Sequence, residues 1–248
     1  MEEEQTGDRE EHEDKGERDE EQDLEQRVDQ NPTKGSESQE PRIELYDVGR
    51  VITGPFRQGY DFIASELAGK YITDPEALER IREFHRTRGN ISQDDFNLLN
   101  YAWVEAIKAG ELEVDPSEIV YDDVAPRFNL VRGQGNLVYL LTSGSIELIE
   151  LLIGNTCQYD GLLVGEEIGD KNDPETFARV PALLDRDIKA FYDDKPSVLY
   201  AAYQGFQSAG VNPSLYLVDR HNKVNQANID DLVSKGVVPI YSFTEIAD

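Results

Sequence analysis

LVYLLTSGSIELIELLIG, residues 137–154, decides the fold. Its first six residues, 137–142, are apolar at all but the last position, the mark of a strand buried on both faces. Residues 145–153 then change period and place Ile146, Ile149 and Ile153 on one side, which reads as an apolar-faced helix. Working downstream, the same alternation repeats. Residues 161–165 (GLLVG), 188–192 (IKAFY), 215–218 (LYLV) and 237–241 (VVPIY) read as strands, with helices expected at 174–184, 197–209 and 226–234. Upstream, residues 42–47 (RIELYD) form one more short strand, followed by about ninety residues of helical pattern. There a helix over 58–71 carries Phe62, Ile63, Leu67 and Tyr71. A second over 75–86 starts with Asp74 as N-cap and Pro75 in its first turn. A third is capped by Ser92, carries Phe96, Leu99, Trp103, Val104 and Ile107, and stops at Gly110. Apolar strands separated by helices predict an α/β, Rossmann-like parallel sheet covered on both faces. The helical insert after strand one would sit above the sheet's C-terminal edge, where such sheets bind ligands.

Composition narrows the function. The 248 residues carry 51 acidic side chains against 24 Lys plus Arg, a formal net charge of −27. A surface this negative repels phosphate backbones, so a nucleic-acid partner is not expected. No apolar run approaches the roughly 18 residues of a membrane span and no apolar leader opens the chain, so a soluble, cytoplasmic protein without a membrane partner is expected. The single Cys157 excludes an internal disulfide and a cysteine-based zinc site. It has no basic sequence neighbour to activate it, which argues against a nucleophilic role. Residues 1–40 hold 17 of the acids and only 5 bases, with almost nothing apolar, and are expected to be a disordered acidic tail. Such a tail serves either as an interaction segment or as a solubilising extension. The Lys-poor, acid-rich remainder is compatible with life in high salt.

In an open parallel sheet the chemistry lies just past the strand ends. Those positions hold Asp47, the pair Thr142–Ser143, and the pair Asp193–Asp194, while Lys171 lies on the loop after the third strand. Together a carboxylate nucleophile, a hydroxyl, a lysine and further carboxylates can bind Mg²⁺ and a phosphoryl group. Turns of this kind are rich in Asp, Ser and Thr in any case, because these residues cap helices. Their chain order is what carries weight.

Four stretches, LYDVGRVITGP (45–55), LLTSGS (140–145), GEEIGDKNDPETF (165–177) and FYDDKPSVLYAA (191–202), resemble the four motifs of the haloacid dehalogenase-like (HAD) superfamily. The resemblance spans about residues 42–246. It implies a Rossmann-like core at 41–56 and 121–248, with a C1 helical cap at 57–120. It implies Asp47 as the nucleophile of an aspartyl-phosphate, Thr142 as a phosphoryl hydrogen-bond donor, and Lys171 as the group that neutralises charge. Mg²⁺ would be held by Asp47, the Gly49 carbonyl, Asp194 and Asp193. Ser143 would touch substrate or help cap the next helix. The implied activity is a phosphatase acting on a small phosphorylated metabolite.

Three positions depart from that pattern. Gly49 stands where family phosphatases carry a general acid–base Asp, whose assistance is typically worth 10²–10⁴-fold. Arg50 replaces a small residue, and could reach a substrate phosphate or pair with one of the many acids. Val198 stands where the fourth motif has Asp or Asn. The alternative is therefore a degenerate HAD domain that binds a ligand or a protein without turnover. A Schiff-base route to another bond would need a cap lysine, and only Lys70 offers itself. The simplest readings of His85 and His221 are surface and loop residues, and of Phe96 and Trp103, cap core. Arg57 and Tyr60 could touch substrate.

Overall fold

Six short strands build one sheet: β1 (Ile43–Asp47), β2 (Leu137–Thr142), β3 (Gly161–Val164), β4 (Ile188–Asp193), β5 (Ser214–Val218) and β6 (Val238–Ile240). Their order is β3-β2-β1-β4-β5-β6 and every neighbouring pair is parallel. β1, between β2 and β4, is buried at all five positions, including the acidic Glu44 and the terminal Asp47. The chain steps outward from β1 through β2 to β3, then returns to β4 on the other side and steps away again. The crevice between the C-terminal ends of β1 and β4 is thus the topological switch point. Asp47 and Asp193 are the last residues of those two strands.

The computed structural model describes residues 40–54, 57–87 and 91–246, and these form one compact unit. Apart from Glu40, the acidic tail expected at 1–40 lies outside the described residues, as does the Arg57 side chain.

The insert consists of α1 (Arg57–Phe62), a π turn (Ile63–Leu67), α2 (Ala68–Tyr71), α3 (Pro75–Thr87), α4 (Gln93–Lys108) and α5 (Pro116–Ile119). Then come α6 (Val124–Gly133), α7 (Ile146–Ile153), α8 (Gly165–Ile168), α9 (Pro174–Leu184), α10 (Pro196–Ser208) and α11 (Gln226–Ser234). Alternation along the strands splits the core. Leu45, Leu141 and Phe191 face one layer of helices, and Tyr46, Leu140 and Tyr192 the other. A third cluster lies within the insert around Ile63, Ile81, Leu99 and Trp103, and Leu148 and Leu152 of α7 join it. The insert is therefore packed down onto α7, the helix that follows β2. The chain leaves and re-enters the sheet side by side, with the Gly54 amide donating to the Ile119 carbonyl (2.8 Å) and the Tyr121 amide to Ile52 (3.0 Å).

Several local expectations hold. The Asp74 carboxylate accepts from the Glu76 amide at 2.9 Å, and Ser92 Oγ accepts from the Asp95 amide at 3.1 Å. Gly110, at φ +70°, turns the chain just past α4, where only glycine is free of a Cβ penalty. Two expectations are corrected. The helix at 58–71 is not continuous: Ile63 and Ala68, five residues apart, are both fully buried, and a π turn brings residues at that spacing onto one face as an α-helix does not. The last strand is Val238–Ile240, shorter than 237–241, because Tyr241 has already left the sheet edge and is exposed.

One buried charge is built into the sheet. Glu44 is fully buried and accepts from Arg127 Nη2 (2.8 Å), Lys189 Nζ (2.8 Å), the Tyr46 hydroxyl (2.7 Å) and the Tyr192 hydroxyl (3.0 Å). Tyr46, Tyr192 and Tyr216 stack across β1, β4 and β5 at 4.4 and 4.6 Å between ring centres. Side-chain ladders of this sort hold the relative positions of neighbouring strands.

Candidate active site

Asp47 ends β1 with its carboxylate almost wholly buried, and the Lys171 ammonium is hydrogen-bonded to its Oδ1. Lys171 is delivered by a tightly pinned loop. Thr176 Oγ1 donates to the carbonyls of Ile168 (3.1 Å) and Asp170 (2.6 Å), and Asp173 caps α9 by accepting from the Glu175 amide. On the other side of the ammonium, Asp193 Oδ2 lies 2.9 Å away, while Oδ1 accepts from the Lys195 amide. Asp193 Oδ2 is buried and meets the Lys171 ammonium as an ion pair, off the direction of a regular hydrogen bond.

Thr142 ends β2, and its Oγ1 accepts from the Gly144 amide at 3.0 Å. That leaves its hydroxyl hydrogen for an acceptor in the adjoining cavity. Ser143 lines the same cavity but does not cap α7: the cap is Ser145, whose Oγ accepts from the Leu148 amide. Asp194 follows β4 and receives Arg50 Nη1 at 3.4 Å. Arg50 adopts φ 64°, a left-handed conformation uncommon for a side chain of its size, and lines the cavity while holding that contact.

The cavity has a volume of about 410 Å³. Its floor is Asp47, Gly49, Thr142, Lys171, Asp194 and Lys195; its roof is Tyr60, Asp61, Phe84 and Phe96 from the insert, with Leu148 and Ile149 of α7 at the side. The predicted residues Asp47, Gly49, Arg50, Thr142, Ser143, Lys171 and Asp194 all line it. Asp193 does not; it lies behind the wall and holds Lys171 in place. A smaller cavity of about 240 Å³ shares Arg50, Asp194 and Lys195 and extends to Arg220, His221 and Lys223.

The charges are strongly coupled. Burial, reinforced by Asp193 and Asp194, pushes the Asp47 carboxyl up to about 7 against the pull of Lys171 and Lys195. Burial and Asp193 also raise Asp194. For Lys171 burial opposes the charged form, but Asp193 and Asp47 outweigh it and hold the ammonium above the ordinary lysine value. Asp47, Asp193 and Asp194 each offer an oxygen, and these lie within 4.8 Å of one another. A hard divalent cation takes such oxygen donors and would favour the ionised form of each. The donor set fits Mg²⁺.

Gly49 is not required by the backbone. A Cβ there would stand 3.9 Å from Asp47 Oδ2, at ordinary contact, so neither the backbone nor steric crowding at the Cβ demands glycine. Val198 is buried in the core and could not present a polar group to this cavity without a change in packing.

No protein-family model matches the chain, and no curated protein matches it. Solved structures do. A protein described as a phosphatase from Clostridium acetobutylicum matches with TM-score 0.53 and 11% identity, over 81% of this chain and 94% of its own. CbbY from Rhodobacter sphaeroides, crystallised with phosphate, matches with TM-score 0.50 and 17% identity over 83% and 96%. A protein described as a haloacid dehalogenase-like hydrolase from Bacteroides fragilis matches with TM-score 0.50 and 15% identity over 77% and 93%. The fold is HAD-like.

Within this HAD-like frame the insert holds the surprises. Phe96, expected in the insert's core, is half-buried and faces the cavity, whereas Trp103 is core as expected. His85, expected on the surface, has its Nδ1 3.1 Å from Asp61 Oδ1. His221 is an exposed loop residue as expected, 2.9 Å from the Tyr121 hydroxyl. Lys70 pairs with Glu111 at the surface and is not part of the cavity. Cys157 is buried and its thiol is pushed up to about 11 by burial, so it is inert. Asp61, Phe84 and Lys195 were not legible as site residues, although Lys195 directly follows the Asp pair at a strand end.

Tyr60 reaches the cavity because Gly59 lets α1 lie directly on Trp103. A Cβ at Gly59 would fall 2.3 Å from the indole. Gly59→Ala is expected to cost about 2 kcal/mol of stability in urea unfolding, as overpacking does. Because α1 must then lift, Tyr60 and Asp61 are drawn away from the cavity as well.

Proposed function

We propose that the protein is a Mg²⁺-dependent phosphatase that acts on a small phosphorylated metabolite through an aspartyl-phosphate on Asp47. The observation that supports this best is one arrangement: Asp47 at the switch point, braced by Lys171, with Thr142 lining the same cavity. Asp47 attacks phosphorus. Lys171, itself fixed by Asp193, offsets the negative charge of the phosphoryl group, and the Thr142 hydroxyl donates to a phosphoryl oxygen. Asp47, Asp194 and the Gly49 carbonyl would hold the cation, with Asp193 within reach. Bound Mg²⁺ supplies charge neutralisation for the transferring group. The aromatic roof excludes water and selects the body of the substrate. A small anion suits the cavity, whereas a nucleic acid would meet the repulsion of a chain at −27.

Gly49 favours a second reading, a binding module that has lost turnover. The two are separated by phosphate release from a panel of phosphorylated metabolites with Mg²⁺, at low and at multimolar salt. Release supports the enzyme. An inert wild type beside an active Gly49→Asp supports the module. In either case Mg²⁺ with a phosphoryl mimic is expected to raise Tm as the ligand rises above Kd, by the linkage of binding to folding. Asp194→Ala is expected to lose that shift, measured by thermal denaturation.

A further inference from the structure

Gly49 removes the usual proton donor and leaves the leaving-group oxygen without an acid. The remaining cavity groups differ in what they can give. Lys171 is locked between two carboxylates, and Asp194 faces Arg50. The Tyr60 hydroxyl donates to Asn100 Oδ1 at 2.8 Å, and burial raises its pKa well above the ordinary phenol value. Asp61, the next residue on α1, lines the cavity from the roof and is backed by His85 of α3 at 3.1 Å. A carboxyl group held against an imidazole at the edge of a cavity is placed to give a proton to, and take one from, what the cavity holds. Its position is fixed on both sides. Upstream, Gly59 lies against Trp103 and the Tyr60 ring meets Trp103 edge-on at 4.6 Å. Downstream, the π turn begins two residues later, a device common at functional sites.

We propose that the Asp61–His85 pair is the general acid and base of this site, supplied from the insert in place of the side chain that Gly49 lacks. This rests on the phosphatase reading above. In the first step an Asp47 oxygen bonds to phosphorus and the phosphorus–oxygen bond to the alcohol breaks. The departing oxygen takes the proton from the Asp61 carboxyl. In the second step the Asp61 carboxylate accepts a proton from water, whose oxygen attacks the aspartyl-phosphate. The bond to Asp47 breaks, its carboxylate returns, and inorganic phosphate leaves.

The test uses the full chain with Mg²⁺ and 4-nitrophenyl phosphate, whose leaving group needs no acid, beside the alkyl monophosphate that wild type hydrolyses fastest. Asp61→Asn is expected to keep a stoichiometric burst of 4-nitrophenolate, because the first step survives. Its steady rate, and its alkyl phosphate turnover, fall by about 10²–10⁴-fold. Adding Gly49→Asp to Asp61→Asn restores steady turnover, which a merely structural defect at Asp61 would not allow. An Asp61→Asn enzyme that turns over the alkyl ester like wild type overturns the proposal. So does loss of the burst, or the burst phenotype appearing in Lys195→Gln instead. A wild type inert on every ester but active as Gly49→Asp overturns both this proposal and the phosphatase reading, whereas an active wild type indifferent to Asp61 overturns this proposal alone.

Discussion

On the proposed mechanism, Asp47→Asn is expected to abolish phosphate release, lowering it by at least about 10³-fold, the scale of loss when a nucleophile is removed. The amide retains the shape of the carboxylate but cannot form the phosphorylated intermediate. The variant is expected to fold, and its stability separates a catalytic loss from a structural one. Burial raises the Asp47 pKa to about 7 in the folded chain, above the roughly 3.9 of an unfolded aspartate. A raised carboxyl favours the folded state below the unfolded value, and that contribution is lost as pH rises through the folded one. At pH 8 without metal, ionised Asp47 is therefore a net cost. Urea unfolding there should find Asp47→Asn at least as stable as wild type. Marked destabilisation would mean that the carboxylate is needed to hold Lys171, and that the activity loss is secondary.

Glu44→Ala has the largest expected effect on stability, a loss of about 3–5 kcal/mol, because it strands Arg127 in the core. Burial alone would raise the Glu44 pKa, yet Lys189, Arg127 and Tyr46 together bring it below its ordinary value of 4.5. A depressed carboxyl stabilises the fold above the unfolded pKa, and that share is lost as pH falls through the folded value. Wild type and Glu44→Ala should thus begin to converge in stability as pH falls below about 4.5 and draw together through the lower folded value, read from urea midpoints at stepped pH. Replacing the pair together, Glu44→Leu with Arg127→Met, should recover most of the loss, since a matched apolar pair needs no compensation for desolvation. Phosphate release in the single variant should fall with folded fraction only, as Glu44 lies three residues before Asp47 and outside the cavity.

What could be read without the structure follows from how each residue is placed. Asp47, Thr142 and Asp194 were legible because a buried parallel strand announces itself as an apolar run, and its end marks the ligand edge. Lys171 needed the motif, since its loop has no periodicity of its own. The roof was illegible. Helical spacing shows that Phe96 has an inward face, but not whether that face meets another helix or a cavity. That depends on α1 lying against Trp103, through a glycine whose reason appears only in three dimensions. His85 reads as surface until α3 is set beside Asp61. Val198 looks like a missing ligand in the motif, yet its side chain belongs to the core. Ser145 rather than Ser143 caps α7, a shift of two residues that no local pattern distinguishes in a stretch holding both.

The π turn at residues 63–67 carries one more residue than an α-helical path over the same span would need. Each residue of an α-helix advances about 100° around the axis. The wide turn absorbs that extra residue, so the segments on either side keep the phase they would have in a continuous α-helix one residue shorter. The same surplus taken up in a regular turn would rotate Tyr60 and Asp61 by about that angle and carry them out of the cavity, while the sheet, Asp47 and Lys171 stayed where they are. The angular setting of the roof over the floor thus depends on where along the helix the additional residue is accommodated, and not on chain length alone.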